Sequence, residues 1–282
     1  MNEAQPTVLV LGATGKTGSR VVSHLRNRAL AVRAAARSGA DIAFDWSNRE
    51  TYAPALESVD RVYLMAPILR TDFAPDVSVF LDAAEATGVE HVTFLSAYGM
   101  EYAPGQVATR AVELDLIGRE RLGHTILRPA WFMQNFSETF LRPINGAIIV
   151  PTGNGTEAFI DVDDIAAVAA DTLADPAAHA GAAYSLTGPQ ALTVADAAAI
   201  IGRATGQPLV HQDLDRDTWV AGVLAAGIPT EYGAVLRQLT EMVASGHGSQ
   251  PNDSVEKITG HPARTFDQFA QANTSAWKED AQ

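Results

Sequence analysis

The sequence predicts an α/β fold, a doubly wound parallel sheet followed by a smaller, mostly helical C-terminal lobe. Three observations predict it. Six short apolar runs recur through the first half of the chain with stretches of helical spacing between most of them, the alternation that builds right-handed strand–helix–strand crossovers. The first run, TVLVL, is apolar without alternation, as in a strand buried on both faces. A glycine-rich turn follows it directly and opens a helix.

The elements follow in order. Thr7–Leu11 is the first strand, and Ser19–Arg28 carries Val21, Val22 and Leu25, with Ala29 next, on one helical face. Leu30–Ala36 is a second strand, Ile42–Trp46 a short third, and Thr51–Val59 a helix. Arg61–Met65 (RVYLM) is a fourth strand ending at Ala66-Pro67, and Asp76–Thr87 a helix with Gly88 just past its end. His91–Leu95 (HVTFL) is a fifth strand, Thr109–Leu122 a long helix, and Thr125–Arg128 a sixth strand stopped by Pro129. After Ala130 the pattern loosens. Ala147–Val150 and Phe159–Val162 are expected as short strands, and Asp163–Leu173, Thr193–Thr205, Thr218–Ala226, Glu231–Ser245 and Thr265–Trp277 as helices. Thr193 is a cap with Asp196 three residues on, and Gly246–Asp253 (GHGSQPND) is a surface loop.

Composition excludes several functions. With 20 basic and 33 acidic residues the net charge is −13, the wrong sign for neutralising nucleic-acid phosphates. The chain has no cysteine, which removes disulfides, thiolate catalysis, cysteine zinc sites and iron–sulfur clusters. Its seven histidines lack ligand spacing, so no metal is expected, and no G-x-S-x-G elbow occurs. The first residues lack the basic stretch of a signal peptide, and no apolar run approaches a membrane span, so a cytoplasmic protein, monomer or homodimer, is expected.

Gly12-Ala13-Thr14-Gly15-Lys16-Thr17-Gly18 is a G-x-x-G-x-x-G segment in the strand–loop–helix setting that gives such a pattern meaning. Its glycines permit a tight turn, close approach of backbone to a pyrophosphate, and close packing of helix on strand, with the positive helix end facing the phosphates. It differs from a P-loop, since Lys16-Thr17 falls too soon after Gly12. This is a Rossmann-type dinucleotide site, expected within a 1–150 domain, with 151–282 adding to the sheet edge and a small-molecule substrate pocket. No acid ends the second strand to take ribose hydroxyls, as an NAD site usually requires; instead Arg37 stands nineteen residues past Gly18. Its guanidinium suits a 2′-phosphate, with Ser38 adding a hydroxyl, so NADPH is expected over NADH, with Arg33 a second candidate. Lys16 can reach a phosphate or the nicotinamide ribose. Met65, Ala66 and Pro67, then Ser96, then the segment from Arg128 end strands at the carboxyl edge where ligands of such sheets bind.

These residues resemble the short-chain dehydrogenase/reductase superfamily in its atypical, NmrA-like branch. The resemblance rests on LGATGKTG, AAARS, YLMAP, HVTFLSAYG, TILRPAWFMQNF and FIDVDDIA. FDWSNRETYAPAL is most similar to agroclavine and festuclavine dehydrogenase-type proteins, whose relatives include NADPH-dependent quinone oxidoreductases and azoreductases. The resemblance implies an NADPH-dependent oxidoreductase. It also implies a Tyr-x-x-x-Lys proton relay, and here the chain departs: four residues after its six tyrosines stand Leu56, Pro67, Tyr102, Gln106, Gly188 and Leu236, none of them lysine. Two functions remain open: hydride transfer to a planar quinone, azo, imine or carbonyl acceptor without that relay, or a non-catalytic sensor of NADP(H), as NmrA-type regulators are understood to be. Tyr98 and Tyr102 are the candidate acids, each also a candidate substrate wall. Trp131, Phe132, Asn135 and Phe136 are candidate substrate contacts. Glu113 is expected as a helix-surface carboxylate, although some relatives place a polar group there near the nicotinamide. Asp161, Asp163 and Asp164 are expected to serve the start of a helix.

Overall fold

The computed structural model describes residues 5–277. The chain divides into two compact units, residues 1–129 with 162–185, and residues 130–161 with 186–282. The division therefore interleaves, where the sequence suggested one boundary at 150.

In the first unit the apolar runs become strands β1 (Thr7–Leu11), β2 (Ala31–Ala36), β3 (Ile42–Ala43), β4 (Arg61–Met65), β5 (His91–Leu95) and β6 (Gly123–Pro129). A seventh, β7 (Ala182–Leu186), was not foreseen, because AAYSL carries no apolar run and is only partly buried. Among the described residues these form a seven-stranded sheet in the order β3-β2-β1-β4-β5-β6-β7, with β1 to β6 paired in parallel. The order reverses at β1, and such a switch point opens a crevice at the carboxyl ends of its strands.

Helices α1 (Lys16–Asn27), α2 (Tyr52–Leu56), α3 (Ala74–Thr87), α4 (Ala108–Gly118) and α5 (Val162–Ala174) belong to this unit, with a further short helix at Pro176–His179. Helix α1 buries Val21, Val22 and Leu25 and packs along α5, whose Ala166, Ala169 and Ala170 are fully buried and let the two axes approach. The Arg61 guanidinium donates to the carbonyls of Leu173 and Ala174 at 2.6 and 3.0 Å, satisfying the end of α5 where its dipole is negative. The Thr93 and Thr172 hydroxyls lie 3.0 Å apart and join β5 to the same helix.

Four expectations need local correction. The third strand stops at Ala43, because Asp45 accepts from the Ser47 amide and hydroxyl and turns the chain. The helix expected over 109–122 ends at Gly118, and the chain extends from Arg119. The expected strand Phe159–Val162 is only a bridge from Ile160 to Phe132, since Val162 already belongs to α5. Finally, Asn273 closes the helix Phe266–Ala272 by donating to the Phe269 carbonyl, and a separate 3-10 turn covers Thr274–Trp277.

The second unit holds two small sheets, Ala147–Ile149 beside Val210–Gln212 in parallel and Thr156–Glu157 beside Leu192–Thr193 antiparallel. Its helix Val194–Thr205 starts with the foreseen Thr193–Asp196 capping box. Phe136, Phe159 and Phe266 meet edge to face at its core, centroids 5.1 to 5.9 Å apart. No helix among the described residues is long and apolar enough to cross a membrane.

Glu157 is only 3% exposed, takes a 3.3 Å hydrogen bond from the Trp131 amide, and lies against Gly248, where any side chain would collide with its carboxyl. Burial pushes its pKa up from 4.5 to about 7. The unfolded chain releases this proton near the lower value and the folded chain near the higher one. Stability is therefore lost as pH rises between the two and levels off above. At 1.36 kcal/mol per unit, that loss approaches ~3 kcal/mol. Urea unfolding at pH 5 and pH 8 should show the native chain losing more stability than Glu157→Gln by about that amount.

Candidate functional site

Gly12 follows β1 with φ +66, a conformation that glycine adopts at little cost, and its Cα faces the Met65 methyl. Gly18, in the first turn of α1, sits against the Gly12 carbonyl so closely that a Cβ would collide with it. The helix is thereby pressed on the strand end, and its opening turn faces the carboxyl edge of the sheet. The Ala13 amide is committed to the Ala35 carbonyl at 3.0 Å and the Gly15 amide to the Gly12 carbonyl at 2.8 Å. Anion binding thus falls to the opening of α1. There Gly15 caps with extended backbone, no side chain caps the helix, and no acid stands in its first turn. Elsewhere Thr193 and Thr265 close their helices with full capping boxes. An uncapped, acid-free N-terminus behind a glycine turn fits a diphosphate. Lys16 begins the helix. The Thr17 side chain turns inward, 2% exposed, its hydroxyl 3.7 Å from the Met65 sulfur, so Thr17 can serve a ligand only through its backbone.

Arg37, Ser38 and Gly39 form the exposed turn after β2, and Gly39 lies beside the Thr14 methyl. This turn therefore flanks the glycine loop, with Arg37 open to a ligand. The second candidate, Arg33, is spent on the carbonyls of Pro54 and Glu57 at 2.7 and 3.1 Å. Asp45 lies near Arg37: hydrogen bonds from Ser47, with a smaller pull from Arg37, hold its carboxyl below the ordinary value. Met65, Ala66 and Pro67 end β4 half-buried, the Met65 carbonyl taking a 3.2 Å bond from the Trp46 indole.

The carboxyl ends of β5 and β6 hold a buried ionic cluster. Glu113, expected on the surface of its helix, is fully buried. Its Oε1 accepts from the Ser96 hydroxyl at 2.6 Å and Arg128 Nε at 2.8 Å; its Oε2 accepts from a second Arg128 nitrogen at 2.9 Å and from Arg110 at 2.6 Å. Burial alone would raise the Glu113 pKa, but the bonds from Arg128, Ser96 and Arg110 outweigh it and keep the carboxyl ionised, below the ordinary range. One sign of this cluster was present in the sequence: Arg128 ends a buried apolar strand, and a charge there needs a partner. Which carboxylate answers it has no sequence signature.

Tyr98 is half-buried just beyond, its amide bonded to the Pro129 carbonyl at 3.0 Å. Tyr102 is 81% exposed on a 3-10 turn. In the second unit Phe136 belongs to the aromatic core with no accessible surface, so it is framework and not a substrate contact. Trp131 and Phe132 are half-buried, and Trp131 meets the partly exposed Phe140 edge to face at 5.7 Å. Asn135, also half-buried, takes a 3.2 Å bond from the Thr139 hydroxyl. Asp161, directly before α5, is fully buried between Gln134 at 2.7 Å and Arg264 at 2.9 Å, so it also forms an ion pair. Asp163 does open α5 and pairs with His24 at 3.1 Å. A groove of about 520 Å³ in this unit has its arginines, Arg216 and Arg237, already paired with Glu241 and Asp217.

Residues 12–176 match a family model described as NAD(P)H-binding. An uncharacterized oxidoreductase of Bacillus subtilis, YesF, is 35% identical, the match covering 97% of each chain. The NAD(P)H azoreductase of Xenophilus azovorans is 30% identical over 96% of this chain and 99% of its own. Among solved structures, the Escherichia coli NADPH-dependent quinone oxidoreductase QOR2 complexed with NADPH superimposes with a TM-score of 0.79 at 23% identity, over 94% of this chain and 99% of that one.

Replacing Gly18 by alanine forces a methyl into the Gly12 carbonyl. The variant should lose about 1–3 kcal/mol of stability and most of its affinity for nicotinamide dinucleotides, measured by thermal melts and by titration calorimetry.

Proposed function

We propose that this chain, which belongs to the NAD(P)H-binding family, is an NADPH-dependent oxidoreductase that delivers hydride to a planar, unsaturated small molecule. When bound, the dinucleotide supplies hydride from C4 of its nicotinamide. The opening turn of α1 receives the diphosphate, Arg37 and Ser38 take the adenosine 2′-phosphate, and the ends of β4 and β5 wall the reacting half. Trp131, Phe132 and Asn135 are proposed contacts for the acceptor.

One observation carries the choice of acceptor: Ser96 and Glu113, buried at the ends of β5 and β6, are committed to each other and to arginines. The Ser96 proton is held by Glu113, and Glu113 is kept ionised by Arg128 and Arg110. Such a site favours an acceptor that needs little protein acid. An iminium already carries positive charge and takes hydride directly, while quinones and azo groups can draw protons from water. The protein then contributes mainly orientation and exclusion of water. The azoreductase relative supports this class.

NADPH oxidation followed at 340 nm against quinones, azo dyes and cyclic imines tests the reading. Turnover on at least one class is expected; tight dinucleotide binding without turnover on any of them would instead indicate a sensor. Arg37→Ala should weaken NADPH by ~2 kcal/mol, about thirty-fold, and leave NADH nearly unchanged. Equal losses for both would remove the 2′-phosphate assignment.

A further inference from the structure

We propose that Glu113 is a positioning residue that fixes the Ser96 hydroxyl as a hydrogen-bond acceptor, and that Ser96 thereby holds the carboxamide N–H of the nicotinamide. This rests on the reading of the glycine loop and Arg37 given above.

Placement comes first. In the sheet order, β5 lies two strands from β1 on the side away from β2, roughly 10 Å across at ordinary strand spacing. Arg37 ends β2 and takes the adenosine side, and α1, directly after β1, takes the diphosphate. The nicotinamide half of an extended dinucleotide therefore runs toward β4 and β5. Ser96 immediately follows β5, its amide tied to the Leu127 carbonyl at 2.8 Å, so its backbone is held by β6.

Polarity comes second. A carboxylate offers about four lone-pair directions, and Glu113 has four donors on them, two per oxygen. It has no capacity left for a ligand and can act only through a neighbour. Ser96 is that neighbour. A hydroxyl has one hydrogen, and this one is spent at 2.6 Å on a carboxylate that two arginines keep ionised, so only oxygen lone pairs remain to face outward. Ser96 as a residue retains 8% exposure, directly beyond the end of β5. The group it suits is a donor, and the reacting half of a nicotinamide nucleotide carries an N–H donor in its carboxamide. A merely structural role for Ser96 would be to supply the fourth donor to Glu113, and the two roles differ in which ligand notices its loss.

The test compares two ligands by titration calorimetry: NADPH, and adenosine 2′,5′-bisphosphate, which keeps the adenosine phosphates and lacks the nicotinamide. Ser96→Ala should weaken NADPH about five-fold and leave the bisphosphate unchanged, and Ser96→Thr, which restores a hydroxyl, should recover the native value. Glu113→Gln should show the same ligand-selective loss, and adding Ser96→Ala to it should cost nothing more. Should Glu113→Gln fail to fold, the two Ser96 variants decide the matter alone. Unchanged NADPH affinity in Ser96→Ala, or parallel losses for both ligands, would overturn the proposal. Native protein that bound neither ligand would instead show that the glycine-loop reading has failed, and this proposal with it.

Discussion

The fold and its ligand site depend on one close backbone approach, Gly18 of α1 against the carbonyl of Gly12. A side chain at either position has nowhere to go, since Gly12 is already over Met65 and in a left-handed conformation. The approach sets the angle at which α1 leaves β1. That angle brings α1 along α5, buries the alanine face of α5, and lets Arg61 of β4 reach the last carbonyls of that helix. The same geometry turns the uncapped end of α1 toward the carboxyl edge of the sheet. The packing of α1 and the opening of the candidate site thus come from one constraint.

The ends of β5 and β6 are organised on a different principle. A buried carboxylate costs much to desolvate, and breaking such a pair by removing one partner typically costs 3–5 kcal/mol. Glu113 tolerates full burial because four donors saturate it. Replacing such a cluster with apolar side chains of similar volume is often neutral for stability, so its presence points to what it does to its neighbours. What it does here is hold the Ser96 proton on a carboxylate that Arg128 and Arg110 keep ionised.

Most strands were legible because the apolar runs were long enough to be buried on both faces, and β4 and β5 match their predicted limits. The prediction failed where short-range chemistry competes with pattern. Asp45 ends β3 by binding Ser47, and the acids at the start of α5 take over residues that an apolar pattern assigns to a strand. β7 was missed because an edge strand needs pairing more than hydrophobicity. In the site, the glycine loop and Arg37 were visible as local spacing. Glu113 was not, because a carboxylate on a helix looks the same in sequence whether it faces water or an arginine from a neighbouring strand. Phe136 illustrates the converse, an aromatic in a promising segment that turns into a core.

By itself, then, the sequence determined the doubly wound class, the glycine-rich turn after β1 and the cationic end of β2. Each depends on residues within a few positions of one another, and local backbone sterics or apolar periodicity suffice to express them. Only the tertiary structure decided that Ala13 spends its amide on the Ala35 carbonyl, that Asp161 is an ion pair, and that Glu113 is buried against Arg128. Those outcomes depend on burial and on partners distant along the chain, and charge in a desolvated site is governed by its surroundings rather than by its own residue type.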